Sequence, residues 1–257
     1  MKIEELQAVI LAGGKGTRIR EETDITPKPM IKIGGMPVIE HIMKRFMYYN
    51  LNNFIVCTGY KYEVVNEYFS NYRSSKNFSY NSSNDELTSL EDLEEFNIEI
   101  LFTGNETNTG GRIFRIRDRI KNDIFLVTYG DGLANINIRN LIEFHNSHQK
   151  IGTVTTTTMN SRFGLVNTNE NNLVTSFNEK SKEKQKFNIG YMVFNKAIFN
   201  YLDENSILEK EPLTKLVKDE QLVSYFHDGF FEPMDTYREY LNLNNLWEKN
   251  KAPWNQF

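Results

Sequence analysis

The chain has one cysteine, Cys57, so no disulfide can form within it and a cross-linked scaffold is excluded. It also has no surplus of positive charge. The 30 lysines and arginines face 34 aspartates and glutamates, a formal net charge of −4. Sequence-independent nucleic-acid binding rests on a basic face that neutralises phosphates, so no nucleic-acid partner is expected. No apolar run approaches the roughly 20 residues that span a bilayer. The first residues lack the basic-then-apolar pattern of an export signal. A cytoplasmic protein with no membrane partner is therefore expected. The four histidines, His41, His145, His148 and His227, show no metal-ligand spacing and pair with no plausible nucleophile.

Hydrophobic residues make up 39% of the 257 and aromatics 13%, enough for a real core and too many for global disorder. "LQAVILAGG" reads as a buried strand ending in glycines. "MPVIEHIMKRFMYYNL" then carries Val38, Ile39, Ile42, Met43 and Phe46 at helical spacing. "NNFIVCTGY" reads as a strand and "YEVVNEYFSNY" as a helix. Later strands are read in "NIEILFTG", "DIFLVTYGDG", "GTVTTTTM" and "KFNIGYMVFN", with helices over "GRIFRIRDRIK" and "IRNLIEFHNSH" and a closing helix within "FEPMDTYREYLNLNNLWEKN". This rhythm predicts an α/β fold, a Rossmann-like, mixed and mostly parallel sheet flanked by helices. One domain over 1–257 is expected, with a polar insertion at about 72–96, rich in Ser, Asn, Asp and Glu, where regular structure lapses.

The glycine loop "LAGGKGTR", Leu11 to Arg18, follows the first strand. Gly13, Gly14 and Gly16 let a backbone approach a phosphate closely and aim N–H groups at it, while Lys15 and Arg18 add positive charge. Gly14-Lys15-Gly16-Thr17-Arg18-Ile19 lacks the last glycine of the dinucleotide fingerprint, and the loop fails the P-loop spacing too. "TPKPM" sets Lys28 between Pro27 and Pro29, which stiffens an extended segment and suits a lysine that neutralises developing phosphate charge. In "YGDG", Asp131 follows a strand at the sheet edge where ligands bind, and is either a metal ligand or part of an Asp-Gly turn. Asp235 in "EPMDTYREY" is either a second metal ligand or a helix N-cap. Cys57 reads as a small core residue.

Together these motifs resemble the sugar-1-phosphate nucleotidyltransferases, with their L-A-G-G-x-G-T-R-L, P-K-P-M and G-x-P-[IL] elements; Ile19 replaces the usual leucine. "FTGNETNTGGRIFRI", "YGDG", "RFG", "EPL", "PMDT" and "LWEKNKAPW" extend the likeness to the glucose-1-phosphate cytidylyltransferase subgroup from Leu11 to Trp254. The resemblance implies in-line transfer of a cytidylyl group from CTP to a sugar 1-phosphate. It implies nucleotide contacts from Leu11, Ala12, Gly13, Gly14, Lys15, Gly16, Thr17, Arg18, Lys28, Thr109, Gly110, Gly111, Arg112, Gly130 and Asp131. Lys28, Arg18 and Asp131 would be catalytic, and Asp131 and Asp235 would share one Mg²⁺. Glu179, Lys180, Asn188, Ile189 and Gly190 would form the acceptor site, with a C-terminal portion serving acceptor binding and homo-oligomer formation. Ser181 and Ile189 depart from the subgroup's pattern. A branched side chain at Ile189 is expected to reshape the acceptor pocket, which keeps other phosphorylated acceptors open. A CTP-binding subunit without turnover is the alternative of another class.

Overall fold

The run "QAVILA" forms β1 (Gln7–Ala12), and all six residues are buried. A strand covered on both faces has no solvent side, so the alternation of polar and apolar residues disappears. Alternate side chains still part ways: Ala8, Ile10 and Ala12 enter one core and Val9 and Leu11 the other. The computed structural model describes residues 2–16, 26–75, 79–82, 85–87, 96–158, 165–178 and 185–256.

β1 pairs in parallel with β4 (Asn53–Thr58) on one side and β8 (Ile124–Tyr129) on the other. β4 continues in parallel to β7 (Asn97–Phe102). Beyond β8 lie the antiparallel β13 (Lys186–Asn195), then β10 (Gly152–Thr158) and β14 (Leu222–Phe226), which are parallel to each other. At the opposite edge, β5 (Ser79–Ser82) and β6 (Asp85–Leu87) complete nine strands in the order β14-β10-β13-β8-β1-β4-β7-β5-β6. Three short pairs stand apart from this sheet: β2 (Lys32–Ile33) with β3 (Met36–Pro37), β11 (Leu165–Thr168) with β12 (Val174–Asn178), and β9 (Gly132–Ala134) with β15 (Phe231–Pro233).

Helices cover both faces. α1 (Val38–Met47), α2 (Tyr62–Ser75), α4 (Ile138–His148) and α6 (Tyr237–Glu248) feed the larger core through Ile39, Phe46, Val65, Phe69, Leu141 and Leu243. α3 (Thr109–Arg115) and α5 (Glu211–Lys218) feed the other through Ile113 and Leu216. The mixed, mostly parallel sheet matches the expectation. Within 72–96, where regular structure is expected to lapse, α2 runs to Ser75, β5 and β6 join the sheet edge and Phe96 is buried, while 76–78, 83–84 and 88–95 lie outside the described residues. "SYNS" and "DEL" carry no apolar alternation, so pattern alone misses them. α5 and β14 were also not expected.

From β1 the chain steps to β4 and β7 in one direction, then returns to place β8 on β1's other side. The carboxyl ends of β1 and β8 therefore flank the point where the strand order reverses, the crevice where open parallel sheets bind ligands. Among the described residues, no helix is long and apolar enough to cross a membrane.

Burial holds the histidines neutral. Trp254 Nε1 donates to His41 Nδ1 at 3.2 Å, so the ring's other nitrogen carries the proton toward Ile33 O at 2.9 Å. Burial lowers His41 to a pKa of about 4. Burial, then the neighbouring His148, lowers His145 to about 4. His148 and His227 also lie below the usual value, chiefly through burial. A folded-state pKa below the unfolded value means the unfolded chain binds more protons. Stability is full above about pH 6.5 and falls as pH drops toward 4. We expect denaturant melts at pH 5 to show a loss on the order of a few kcal/mol relative to pH 7, reduced in His145→Gln.

Candidate active site

The cleft, about 320 Å³, lies at the ends of β1 and β8 and is lined by Leu11, Ala12, Gly13, Gly14, Gly16, Lys28, Pro29, Thr109, Tyr129, Gly130, Asp131 and Asp235. Residues far apart in the chain meet there because of a short antiparallel pair. Gly132 of β9 sits opposite Pro233 of β15, and Met234 N donates to Asp131 O at 2.8 Å. That register sets Asp131, just before β9, beside Asp235, just after β15.

The alternative of a cap for Asp235 is decided by its neighbour. Thr236 is the N-cap of α6: its Oγ1 accepts from Glu239 N at 3.3 Å, and Glu239 Oε2 accepts from Thr236 N at 2.9 Å, a reciprocal capping box. Glu239 Oε2 also accepts from Asp235 N at 2.9 Å. The backbone at 235 is thus anchored while its carboxylate reaches Lys28.

Lys28 differs from the extended segment expected. Pro27 is extended, but Lys28–Met30 form a single 3₁₀ turn closed by Met30 N to Pro27 O at 2.8 Å. Pro29 fits because the first turn of a helix asks nothing of its missing N–H. The turn buries Lys28 to 8% exposure and delivers Nζ to Asp131 Oδ2 at 2.6 Å and Asp235 Oδ1 at 2.5 Å. Burial pulls the ammonium's pKa down, but the attraction and hydrogen bonds of the two carboxylates outweigh it and leave it above the usual lysine value. The ion pair therefore persists through neutral pH.

The glycine loop is held from behind. Arg112 is 4% exposed and does not line the cleft. Its guanidinium donates to Thr58 O at 2.8 Å, Thr103 Oγ1 at 2.7 Å, Gly104 O at 2.8 Å and Gly13 O at 3.0 Å. A Cβ on Gly13 would stand 2.1 Å from the guanidinium carbon, so the loop can approach Arg112 only as glycine. In a trans peptide the C=O and the next N–H point opposite ways. With Gly13 O turned to Arg112, the N–H of Gly14 faces away from it, on the cleft side.

Several expected contacts are placed otherwise. Gly110 and Gly111 pack against the 204–206 segment, where a Cβ would come within 2.8 Å of Ser206 and 2.3 Å of Glu204 O. Lys15 pairs with Glu106 at 2.6 Å and lies outside the cleft lining. Ile189 is 4% exposed and packs with Tyr191 and Val193 in the larger core, where β13 shifts register against β10. Gly190 has φ +81°, and a Cβ there would meet the Tyr129 ring at 2.2 Å. Asn188 Oδ1 accepts from Gly190 N at 3.0 Å, outside the cleft lining. Thr17, Arg18, Glu179 and Lys180 lie outside the described residues.

Sequence reasoning missed Glu209. Its carboxylate accepts from the Tyr129 hydroxyl and, at 2.7 Å, from Thr109 Oγ1, so it links two walls of the cleft. Burial, then Glu209, pushes the Tyr129 phenol well above its usual value and keeps it protonated. No local pattern marks this residue, since its partners lie 80 and 100 positions away.

A glycine loop at a sheet's reversal point, an ion-paired lysine and two carboxylates define a phosphate-handling α/β protein. Comparison with known proteins narrows that class. The nucleotidyl transferase family model matches residues 7–246. Glucose-1-phosphate cytidylyltransferase of Salmonella typhimurium is 41% identical over 97% of this chain and 98% of its own. The probable glucose-1-phosphate cytidylyltransferase of Bacillus subtilis is 42% identical over 97% of this chain and 99% of its own. A solved UDP-glucose pyrophosphorylase in complex with UDP-glucose shares the fold, with a TM-score of 0.69 at 18% identity over 95% of this chain and 99% of its own. The chain belongs to the nucleotidyl transferase family.

Two expectations follow from the geometry. Arg112→Ala should cost about 1–3 kcal/mol or more in a denaturant melt, because it strands buried acceptors, and Arg112→Lys should not restore it, because an ammonium cannot fork to four oxygens. Glu209→Ala should raise KM by about tenfold with kcat little changed, the pattern for lost uniform binding. Steady-state kinetics check this, and Glu209→Gln should recover most of the loss.

Proposed function

We propose that this chain transfers the cytidylyl group of CTP to glucose 1-phosphate, releasing CDP-glucose and pyrophosphate. The observation that carries the reading is the meeting of Lys28, Asp131 and Asp235 at a glycine-lined cleft in a chain so similar to glucose-1-phosphate cytidylyltransferases. Glucose as acceptor is supported by Ile189: with that side chain in the core, the branched carbon takes no room from the sugar.

An oxygen of the acceptor's phosphate attacks the α-phosphorus of CTP. The bond from that phosphorus to the oxygen bridging to the β-phosphate breaks, and pyrophosphate leaves with the electron pair. The attacking oxygen is already ionised near neutral pH, since a phosphate monoester's second pKa is about 6. No general base is needed, and the buried, neutral histidines provide none. The task left to the protein is to bring two polyanions together, which positioning and electrostatics accomplish in phosphoryl transfers. The loop amides around Gly14 receive the triphosphate, and Lys28 meets the phosphate charge at the reacting end.

Asp131 and Asp235 would hold Mg²⁺, which supplies charge neutralisation across the phosphates of both reactants. The residues fit that ion: two carboxylate oxygens converge on one point, each side chain about a third exposed. Among the described residues no cluster of three or more His, Cys, Asp or Glu forms a closed cage, as suits a cation that takes its remaining ligands from phosphate and water.

Pyrophosphate release, measured over a matrix of CTP, UTP, dTTP and GTP against glucose 1-phosphate and other phosphorylated acceptors, tests the reading. CTP with glucose 1-phosphate should be fastest. Release from no combination would mean a binding protein, and a faster second acceptor would reassign the substrate. Asp131→Asn or Asp235→Asn should each lower kcat at least about a hundredfold, the usual order for losing an electrostatic stabiliser. Near-normal turnover in either would remove these residues from the metal site.

A further inference from the structure

Lys28 and a divalent cation compete for the same atoms. The ammonium sits on Asp131 Oδ2 and Asp235 Oδ1, the pair that would bind the metal under the function proposed above, on which this inference rests. An ion settling there without phosphate displaces a lysine that is only 8% exposed. The 3₁₀ turn Lys28–Met30, preceded by Pro27 and containing Pro29, gives that lysine little backbone freedom to withdraw. A buried ammonium stripped of its counter-charges is strongly unfavourable. A nucleotide phosphate supplies the missing partner, so that the carboxylates can turn to the cation.

We infer that Lys28 is a resident counter-ion that keeps divalent cations off Asp131 and Asp235 until a phosphate arrives. Cation and nucleotide then bind with positive coupling, and by linkage each strengthens the other by the same factor. The aspartate pair alone is a better cation site than the folded enzyme displays, and Lys28 is what conceals it. This role differs from Lys28's contact with the reacting phosphate, because it operates with no substrate present.

Mn²⁺ is the probe, titrated into the nucleotide-free, full-length protein and followed by the electron paramagnetic resonance of the free ion. Lys28→Met should bind Mn²⁺ at least about tenfold more tightly than the unsubstituted protein, within the range typical of coupled sites. Lys28→Arg, which keeps the cation, should remain weak, and Lys28→Met with Asp131→Asn should lose the gain. Adding CTP should tighten Mn²⁺ binding in the unsubstituted protein much more than in Lys28→Met, after correction for the metal that CTP itself chelates. Thermal melts verify folding: Mn²⁺ should raise the Tm of Lys28→Met more than that of the unsubstituted protein, and Lys28→Gln serves if the methionine variant does not fold. Equal Mn²⁺ affinity in all of these proteins, or Lys28→Arg as tight as Lys28→Met, overturns the inference. If that happens while pyrophosphate is still released from CTP, the inference alone has failed. If no nucleotide supports turnover, the functional reading has failed, and the Mn²⁺ comparison still decides the counter-ion role.

Discussion

The site depends on one buried ammonium shared by two carboxylates. A lysine with so little exposure survives in the charged form only because Asp131 and Asp235 face it, and the two aspartates can stand side by side only because a cation lies between them. Three stretches of chain far apart in sequence are thereby tied to one point. The Pro27–Met30 turn, the end of β8 and the entry to α6 are each held by their own local device: the prolines, the sheet and the capping box. The ion pair joins them and sets the spacing of the cleft's charged end.

A second constraint works on the other side of the glycine loop. Arg112 gathers carbonyls from just beyond β1 and β7 and from the end of β4 into one fork, and so engages Gly13 O of the loop. Backbone polar groups that cannot reach water need such partners. The cleft surface is left to the N–H side of the loop. The Gly13–Gly14 peptide thus turns its carbonyl to Arg112 and its N–H the opposite way.

Much of this was legible in the chain because it is locally encoded. β1 is a continuous apolar run since both of its faces are covered, and the α1 stripe from Val38 to Phe46 is buried throughout. Lys28 announces itself by its flanking prolines, and Asp131 by the glycines around it. What escaped notice is encoded in distant contacts or in direction. The acceptors that Arg112 gathers come from distant stretches of chain and leave no local mark. The place of Ile189 in the larger core depends on an irregular stretch of β13 that the local pattern does not show. Glu209 has no signature at all, and β5 and β6 lack the alternation that marks a strand. Gly110 and Gly111 pack closely on the 204–206 segment, and a glycine needed for close packing and one needed for a ligand look the same in sequence.

The buried histidines carry a consequence for how the molecule responds to its surroundings. All four lie below their usual pKa, and burial lifts the lone thiol at Cys57 to about 12. His41 and His145, held near 4, therefore stay neutral from pH 5 to 8, the range in which an imidazole ordinarily titrates. A phosphate monoester, whose second ionisation lies near pH 6, does titrate within that window. Burial of the His41 and His145 rings thus moves their response to acidity out of the neutral range and into the acid limb of the stability curve.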